Sequence, residues 1–270
     1  ATCLNPRQCD FEERVGKAFG DGGKFVCGLE AVANATRSAS RGSPKPCLMY
    51  SIGCNLDTAF ERDIIARTGG ACEVHIFDPI VDATLLAEES SKWGYKLHSI
   101  GLAAAEGEFR FHKNGVTRSY PAKTLPQMME LLGHTGREIT LFKVDCEGCE
   151  FSAFRPIVDE CAAGRLRIGQ LQIEMHIPGL IQGGKANLTA RDTWFAGADA
   201  CGLRLFHKER NNWGCKGWRC LEFAFVSRDA ALTTFARYHD CPTSGGWGIA
   251  TAVGQGNSSD ASMQRKAVLK

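Results

Sequence analysis

The sequence of 270 residues predicts an α/β fold, with a mostly parallel sheet, helices on both faces and an antiparallel strand near the C-terminal end. Short apolar runs without alternation predict strands that are buried on both faces. Segments with helical periodicity separate these runs, which is the order that right-handed crossovers between parallel strands require. A glycine and an Asp-Pro pair follow the first two runs, as expected where buried strands end in loops.

The individual elements follow from the same patterns. Five buried strands are predicted at 47–52, 72–77, 95–100, 139–144 and 171–175. Helices are predicted at 57–68, 82–93, 124–132, 150–162 (kinked at Pro156) and 188–200. Alternating apolar and polar residues at 108–112 indicate an exposed extra strand. Residues 203–207 and 221–226 are expected to complete the sheet as a strand pair.

Composition divides the chain into three regions. Residues 1–46 carry three cysteines and a Ser/Gly/Pro stretch, and we expect them to form an extension of the main domain, with short helices at 11–19 and 29–36. The domain itself is expected to span 47–242. Residues 243–270 are rich in Gly, Ser and Ala without a period, which predicts a flexible tail.

Charge and hydropathy exclude two classes of partner. The formal net charge is +2 and the basic residues are spread along the chain, which predicts no nucleic-acid partner. No apolar run approaches the roughly 18 residues that a membrane-spanning helix needs. With 44% hydrophobic and 23% charged residues, the chain has the material for a packed core. The composition does not exclude a small molecule or a glycan as the acceptor substrate, or another protein as an assembly partner.

Thirteen cysteines are many for a domain of this size. Cys146 and Cys149 form the only CxxC pair, and without a second pair or a His-x3-His the spacing does not favour a zinc site. Disulfides in an oxidising compartment are the better interpretation. We expect most cysteines to be paired, with Cys215 and Cys220 as a local pair and at least one bridge from residues 1–46 to the main domain. Redox chemistry at the CxxC pair is a weaker alternative.

Two further features indicate the secretory pathway. The chain begins at Ala1, as a processed protein would. Asn34, Asn187 and Asn257 each open an Asn-x-Ser/Thr glycosylation sequence. Together with the cysteines, these features predict a luminal or extracellular glycoprotein, with a cytoplasmic protein as the alternative.

Ligand contacts are expected in the loops after the strands, because parallel sheets bind ligands beyond the carboxyl ends of their strands. Gly53 ends the first strand and permits a tight turn, followed by Asn55 before the next helix. Asp78 ends the second strand, where an acid can accept hydrogen bonds from the ribose hydroxyls of an adenosine. The loop has Leu56 where a second glycine is expected, so it lacks a diphosphate-binding pattern. This favours S-adenosylmethionine (SAM) over NAD, although ordinary turns would also explain both loops.

Acidic residues cluster after the fourth and fifth strands. Asp145, Glu147 and Glu150 follow the fourth strand, while Glu174 and His176 end the fifth and share one face. Such a cluster is unfavourable unless it meets a ligand, a cation or solvent. A solvated loop and a surface histidine are the alternative interpretation. We expect Asp145, Glu174 and His176 to converge in one cleft, because adjacent strands lie about 4.8 Å apart.

Five motifs between about residues 47 and 227 resemble those of the FkbM-type methyltransferases and their eukaryotic methyltransferase-like relatives. They are Tyr50-Ser-Ile-Gly53-x-Asn55-x-Asp57 with Phe60-Glu61, Val74-His-x-Phe77-Asp78-Pro79, Lys143-Val-Asp145-Cys-Glu147-Gly148-x-Glu150, Leu171-Gln-x-Glu174-x-His176 and Gly202-Leu-Arg-Leu-Phe206-His-Lys-Glu209. The resemblance implies a Rossmann-like class I methyltransferase fold, SAM as methyl donor and methylation at a hydroxyl oxygen. By motif position it implies that SAM is held by Gly53, Asn55 and Asp78, with Leu102 beside the adenine and Asp145 near the methionine end. Leu56, the cysteines and the N-terminal extension depart from the family pattern.

The leading hypothesis is therefore a SAM-dependent O-methyltransferase acting on a hydroxyl of a glycan or a small molecule. Methyl transfer from a sulfonium is an in-line displacement, so the enzyme positions the acceptor and removes its proton. We favour His176 as the base and Asp145 as the positioning group, with Glu174 as a further candidate. A divalent cation held by these acids could serve instead but is not required. The alternative is a catalytically silent module that acts as a structural or binding component of an extracellular or luminal assembly.

Overall fold

The computed structural model describes residue 9 and residues 11–37, 47–113, 115–176, 181–182, 185–186, 188–215 and 220–227. All of these residues belong to one compact unit, Ala1–His239. The predicted tail at 243–270 lies outside them, as do Cys3 and Cys241.

Strands and helices alternate through the central part of the domain. The strands are β1 (Glu12–Val15), β2 (Lys24–Cys27), β3 (Cys47–Ile52), β4 (Cys72–Phe77), β5 (Lys96–His98), β6 (Gly101–Leu102), β7 (Gly107–Lys113), β8 (Val116–Lys123), β9 (Glu138–Val144), β10 (Arg167–His176), β11 (Ile181–Gln182), β12 (Lys185–Ala186), β13 (Leu203–Arg210) and β14 (Cys220–Ser227). The helices are α1 (Leu29–Arg37), α2 (Ala59–Arg67), α3 (Ala87–Trp93, preceded by a 3-10 turn at Ala83–Leu86), α4 (Leu125–Leu131), α5 (Cys149–Ser152), α6 (Phe154–Ala162) and α7 (Leu188–Ala200).

The central sheet has seven strands in the order β13-β14-β10-β9-β3-β4-β5. The pairs β3–β4, β4–β5, β3–β9 and β9–β10 are parallel, whereas β14 runs antiparallel to both of its neighbours. The strand order reverses beside β3, with β4 and β5 on one side and β9 and β10 on the other. This topology confirms the predicted Rossmann-like class I methyltransferase fold and its antiparallel C-terminal strand.

Helices cover both faces of the central sheet. On β3, Leu48, Tyr50 and Ile52 join one apolar cluster, while Cys47 and Met49 join the other, because successive side chains of a strand point to opposite faces. The first cluster includes side chains of α4, α6 and α7, and the second includes side chains of α1 and α2. Burial on both faces explains why the strands read as continuous apolar runs.

Residues 11–19 form a strand and a turn, so the predicted helix there is wrong. β1 pairs with β2 as an antiparallel hairpin, and the connection between them contains three glycines with positive φ: Gly16, Gly20 and Gly22. A helix does not accommodate this conformation. The strands are only four residues long, and they are stabilised by packing against α2, β10 and β14 rather than by a local pattern. The predicted helix at 29–36 is confirmed as α1.

The predicted helix at 150–162 is divided into α5 and α6. Pro156 lies in the first turn of α6, where its missing N–H would have no partner within the helix. The proline therefore follows the start of a new helix instead of bending a continuous one.

The hairpin is held to the sheet by side-chain hydrogen bonds. Gln170 accepts from the Cys27 backbone N at Oε1 (2.9 Å) and donates from Nε2 to the Cys27 carbonyl (2.6 Å). A disulfide joins Cys9 to Cys27, both within the predicted extension. Among the cysteines that the structure describes, no bridge links residues 1–46 to the main domain.

Within the described ranges, no helix is both long and apolar enough to cross a membrane.

Candidate functional site

The turn after β3 brings Gly53 against the loop after β9. Gly53 has φ +76°, and a Cβ placed on it would lie 1.8 Å from the Asp145 carbonyl oxygen. Gly53 N donates to the Phe77 carbonyl (2.8 Å), and Asp145 N donates to the Ile52 carbonyl (2.9 Å). The backbone conformation and this close approach both require glycine. Gly53 thus joins the carboxyl ends of β3, β4 and β9.

Asn55 and Leu56 follow in the left-handed region, with φ of 44° and 66°. Asparagine tolerates this conformation, but a leucine there is disfavoured by roughly 1–2 kcal/mol. Leu56 is 49% exposed, so the departure from the expected glycine is not compensated by burial.

The Asp78 carboxylate binds four backbone N–H groups of its own chain. Oδ2 accepts from Cys54 N and Asn55 N, both at 2.9 Å, and Oδ1 accepts from Ile80 N (3.1 Å) and Val81 N (3.2 Å). A carboxylate has about four lone-pair sites, so ribose hydroxyls would have to displace some of these bonds. The ribose contact stays a prediction. Because Asp78 also fixes two loops, its removal is expected to affect the fold as well as any ribose contact.

Leu102 lies in β6 and is only 7% exposed. It belongs to the same apolar cluster as Ile52 and Phe77, at the ends of β3 and β4. Its contact with an adenine stays a prediction.

Lys24, from β2 of the hairpin, lies among the acidic side chains at the sheet's carboxyl ends. Its Nζ lies 2.5 Å from Glu222 Oε1, 3.3 Å from Glu174 Oε2 and 3.6 Å from Asp145 Oδ2, and its side chain is 2% exposed. Glu174 and Glu222 are opposite each other in the β10–β14 pair. We call these four residues the lysine–carboxylate centre. A divalent cation bound here would have to compete with the ammonium for the same oxygens.

Burial and neighbouring charges determine the protonation of this centre. Burial and the Asp145 carboxylate raise the pKa of Glu174 to about 8, despite the opposing Lys24 ammonium. Burial disfavours charge on Asp145, but Lys24 and Lys143 outweigh it and lower the pKa of Asp145. Burial likewise disfavours charge on Lys24, but the Glu222 and Asp145 carboxylates outweigh it and raise the pKa of Lys24. The raised pKa of Glu174 favours its protonated form, which makes it a weaker base than an ordinary glutamate at neutral pH.

His176 lies in the same cleft between two carboxylates. Its Nδ1 is 2.7 Å from Glu150 Oε1, and its Nε2 is 3.3 Å from Glu147 Oε2. Burial lowers the pKa of His176, but the bond to Glu150 and the charge of Glu147 outweigh it and raise the pKa to about 9. These contacts favour the protonated imidazole, and the role of His176 as the base stays a prediction. Side-chain atoms of His176 lie within 4.8 Å of Asp145 in one group and of Glu174 in another, and Lys24 Nζ lies near both carboxylates, so Asp145, Glu174 and His176 lie close together as expected.

A cavity of about 250 Å³ opens beside the lysine–carboxylate centre. Its floor includes Glu222, whose buried Oε2 accepts no hydrogen bond from a nitrogen donor of the described residues, while the carboxylate is also hydrogen-bonded to the Glu174 carboxyl. A buried carboxylate oxygen without a donor is unfavourable, so a ligand with a hydroxyl donor would suit this position. Aromatic and charged side chains of the hairpin and of the segment after β13 form its walls, among them Arg14, Phe19, Asp21, Phe25, Arg210 and Trp213.

A comparison with protein families shows which family the chain belongs to. The profile of a family described as a methyltransferase domain matches residues 3–227. The chain belongs to this family. The match begins before β1, so it includes the hairpin that supplies Lys24 to the methyltransferase domain.

The individual proteins that resemble this chain have low sequence identity to it. A Rattus norvegicus protein named "Probable methyltransferase-like protein 24" is 28% identical over 170 residues, which cover 60% of this chain and 43% of that protein. The match thus spans less than half the length of this relative. Among solved structures, Aeropyrum pernix fibrillarin with natively bound S-adenosyl-L-methionine is 12% identical with a TM-score of 0.41, covering 80% of this chain and 82% of that one. The N-methyltransferase NodS of Bradyrhizobium japonicum is 11% identical with a TM-score of 0.36, covering 67% and 85%.

Two disulfides flank the cleft of this methyltransferase domain. Cys146 and Cys149, the CxxC pair, are joined in the loop that carries Asp145. The predicted local pair Cys215–Cys220 is confirmed, and Cys215 Sγ lies 3.4 Å from Glu174 Oε1. Both bridges restrict loops that position acidic side chains.

Sequence reasoning missed Lys24 and Glu222 as site residues. Each is a charged residue within a strand, which is usually interpreted as facing solvent. A signal was present for Lys24, because it shares a strand face with Val26, whose side chain is buried. Recognising it would have required a correct prediction of β2.

Proposed function

We propose that this methyltransferase domain transfers a methyl group from SAM to a hydroxyl oxygen of its acceptor. The observation that carries the proposal is Glu222 Oε2, a buried carboxylate oxygen that no nitrogen donor of the described residues binds, on the floor of a cavity beside the lysine–carboxylate centre. An acceptor hydroxyl would satisfy this oxygen and place its proton where a carboxylate can receive it.

SAM suits the surface formed by the loops after β3, β4 and β9, where Asp145 links these loops to the lysine–carboxylate centre beside the cavity. Bound there, it would supply a methyl group carried on a positively charged sulfur. Gly53, Asn55, Asp78 and Leu102 would hold its adenosine, and Asp145 would face its methionine end. The Asp145 side chain is 23% exposed and ionised, which suits a cationic ligand.

Glu222 serves as the proton acceptor in this proposal. Lys24 binds Glu222 Oε1, which leaves Oε2 for the acceptor hydroxyl and orients the carboxylate. The acceptor oxygen would form a bond to the methyl carbon as the bond from that carbon to the sulfonium sulfur breaks, and a neutral thioether would leave. The hydroxyl proton would pass to Glu222 Oε2. The raised pKa values of Glu174 and His176 disfavour both residues as the acceptor of this proton.

The cavity suits a sugar ring as the acceptor. Trp213 and Phe19 are 70% and 86% exposed and offer aromatic faces to the apolar side of a ring. Arg14, Asp21 and Glu222 offer polar groups to its hydroxyls. We therefore propose a glycan or a similar hydroxylated small molecule as the acceptor class.

We further propose that the chain is a luminal or extracellular glycoprotein of the FkbM-type branch of methyltransferases. Four disulfides among the described residues support an oxidising compartment. Asn34 lies on α1 and is exposed, as a glycosylated asparagine must be. Asn187 and Asn257 lie outside the described residues.

A catalytically silent module is the second candidate, and Asp78 favours it. All four acceptor positions of its carboxylate are used by backbone N–H groups, as expected if no ribose binds. In that case the domain would serve as a structural or binding component of a larger assembly.

Calorimetric titration with SAM, followed by transfer of labelled methyl to a panel of saccharides, separates these candidates. The enzyme should bind SAM and label a hydroxyl oxygen. Glu222→Gln should retain SAM binding and lose at least about a hundredfold in turnover, as removal of a general base does. Glu13→Gln, which removes an exposed ion pair with Arg67, is the matched control and should change neither SAM binding nor turnover. Absence of SAM binding would favour the silent module.

A further inference from the structure

A histidine–glutamate cluster lies at the opposite end of the sheet from the cleft. It is formed by Glu73 and His75 of β4 and by His134, in the connection that precedes β9. His75 Nε2 lies 3.2 Å and His134 Nε2 lies 3.6 Å from the same oxygen, Glu73 Oε1. All three potential ligand atoms lie within 4.8 Å of one another.

From this geometry we propose that Glu73, His75 and His134 bind a transition-metal dication of the Zn²⁺ type. Nitrogen and oxygen ligands lie about 2.0–2.2 Å from zinc, so two ligands of a tetrahedral site are about 3.4 Å apart. The distances of 3.2 and 3.6 Å bracket that value. The set of two imidazoles and one carboxylate is also the one that zinc uses where a fourth position stays open.

The remaining polar atom of each proposed ligand is held by another side chain. His75 Nδ1 lies 2.9 Å from His98 Nε2, and His134 Nδ1 lies 2.8 Å from the Tyr50 hydroxyl. Arg137 donates to Glu73 Oε2 at 2.8 Å. Such contacts fix the orientation of metal-binding imidazoles and carboxylates.

The two imidazole side chains are buried, and each directs its Nε2 atom at the same carboxylate oxygen. Their Nε2 atoms either share protons with Glu73 or coordinate a metal ion, and the same ring positions serve both states. A cation already lies beside this oxygen, because Lys96 Nζ is 3.4 Å from Glu73 Oε1. The Lys96 side chain is 61% exposed, so a dication can displace it into solvent. This competition gives the proposal a test that a purely structural cluster would fail.

The test titrates the full, disulfide-intact chain, first treated with a chelator, with Zn²⁺ by calorimetry and with Co²⁺ by visible absorption. We expect one saturable site and the absorption bands of tetrahedral cobalt. His75→Gln and His134→Gln should each weaken binding at least about a hundredfold, and Tyr50→Phe should weaken it roughly 10–100-fold. Lys96→Gln should tighten binding, because it removes the competing ammonium.

Glu147→Gln is the matched control, since Glu147 belongs to a separate acidic group with Asp145 and His176 at the cleft. It should leave zinc affinity unchanged. Circular dichroism of each variant shows whether it is folded, and Lys96→Gln keeps the test valid even if the histidine variants unfold. Absence of saturable binding, binding that Glu147→Gln abolishes, or no gain with Lys96→Gln would each overturn the proposal.

Discussion

The buried ammonium of Lys24 balances the carboxylates that meet at the cleft. Removing one partner of a buried ion pair leaves charge uncompensated and costs about 3–5 kcal/mol. We therefore expect Lys24→Met to lower the free energy of unfolding by that amount, measured by urea denaturation at pH 7. Lys17→Met removes an exposed pair with Asp57 and should cost no more than about 1 kcal/mol. Equal effects of the two substitutions would contradict the role assigned to Lys24.

Glu174 and His176 also predict how stability depends on pH. Folding raises the pKa of Glu174 from 4.5 to about 8 and that of His176 from 6.5 to about 9. Both groups bind their protons more tightly in the folded chain, so the stability that they contribute is present at low pH and is lost as pH rises through these values. The urea concentration at the midpoint of unfolding should therefore decrease as the pH is raised from 6 to 9.

The variant Glu174→Gln isolates one of these two groups. Its side chain is a neutral analogue of the protonated acid, so the fall in stability with rising pH should become shallower. Glu160→Gln, at an exposed ion pair with Arg165 whose carboxyl has a lowered pKa, should leave the slope unchanged. A slope that is the same in all three proteins would show that Glu174 is ionised in the folded chain.

At the scale of elements, the turn after β3 depends on Gly53. Gly53→Ala adds a strained φ and a clash with the Asp145 carbonyl, which together should cost roughly 3 kcal/mol or more and abolish SAM binding. Gly70→Ala is the matched control, because Gly70 also has positive φ but no atom within 4 Å of its added Cβ. It should cost about 1–2 kcal/mol and leave SAM binding intact. The two variants should be compared by urea denaturation and calorimetry.

The elements that were predictable from sequence are those stabilised by their own pattern. β3, β4 and β9 are buried on both faces, so they appear as continuous apolar runs, and their ends correctly indicated Gly53, Asp78 and Asp145 as loop residues. The hairpin β1–β2 lacks such a pattern because its stability comes from packing against distant strands. Only half of the lysine–carboxylate centre was therefore predictable from sequence. Asp145 follows β9 and Glu174 lies in β10, both of which were predicted, whereas Lys24 lies in β2, which was not, and Glu222 lies in β14, where a charged residue was not interpreted as buried.

At the scale of the whole molecule, the sheet separates two groups of polar side chains. The lysine–carboxylate centre lies at the carboxyl ends of the parallel strands, where this fold binds ligands. The proposed metal site lies near the amino ends of β4 and β9. Metal at the second site is therefore expected to stabilise the domain without direct contact with the acceptor.

The disulfides also predict how much stability each bridge contributes to the domain. In the chain-entropy description, a bridge that closes a longer loop contributes more stability. The Cys47–Cys72 bridge has a sequence separation of 25 and should contribute about 3.5 kcal/mol. Cys215–Cys220 has a separation of 5 and should contribute about 2 kcal/mol. Urea denaturation of the two double Cys→Ala variants measures this difference.

Peptide mapping of the unreduced protein is the accompanying measurement. It should recover Cys9–Cys27, Cys47–Cys72, Cys146–Cys149 and Cys215–Cys220 as linked pairs. Cys54, Cys161 and Cys201 are not bridged in the structure and should be alkylated after denaturation without reductant. A protein secreted through an oxidising compartment should carry the bridges in nearly every molecule, because they form before it leaves that compartment. A native protein with mostly free thiols would contradict the proposed luminal or extracellular origin and favour the cytoplasm.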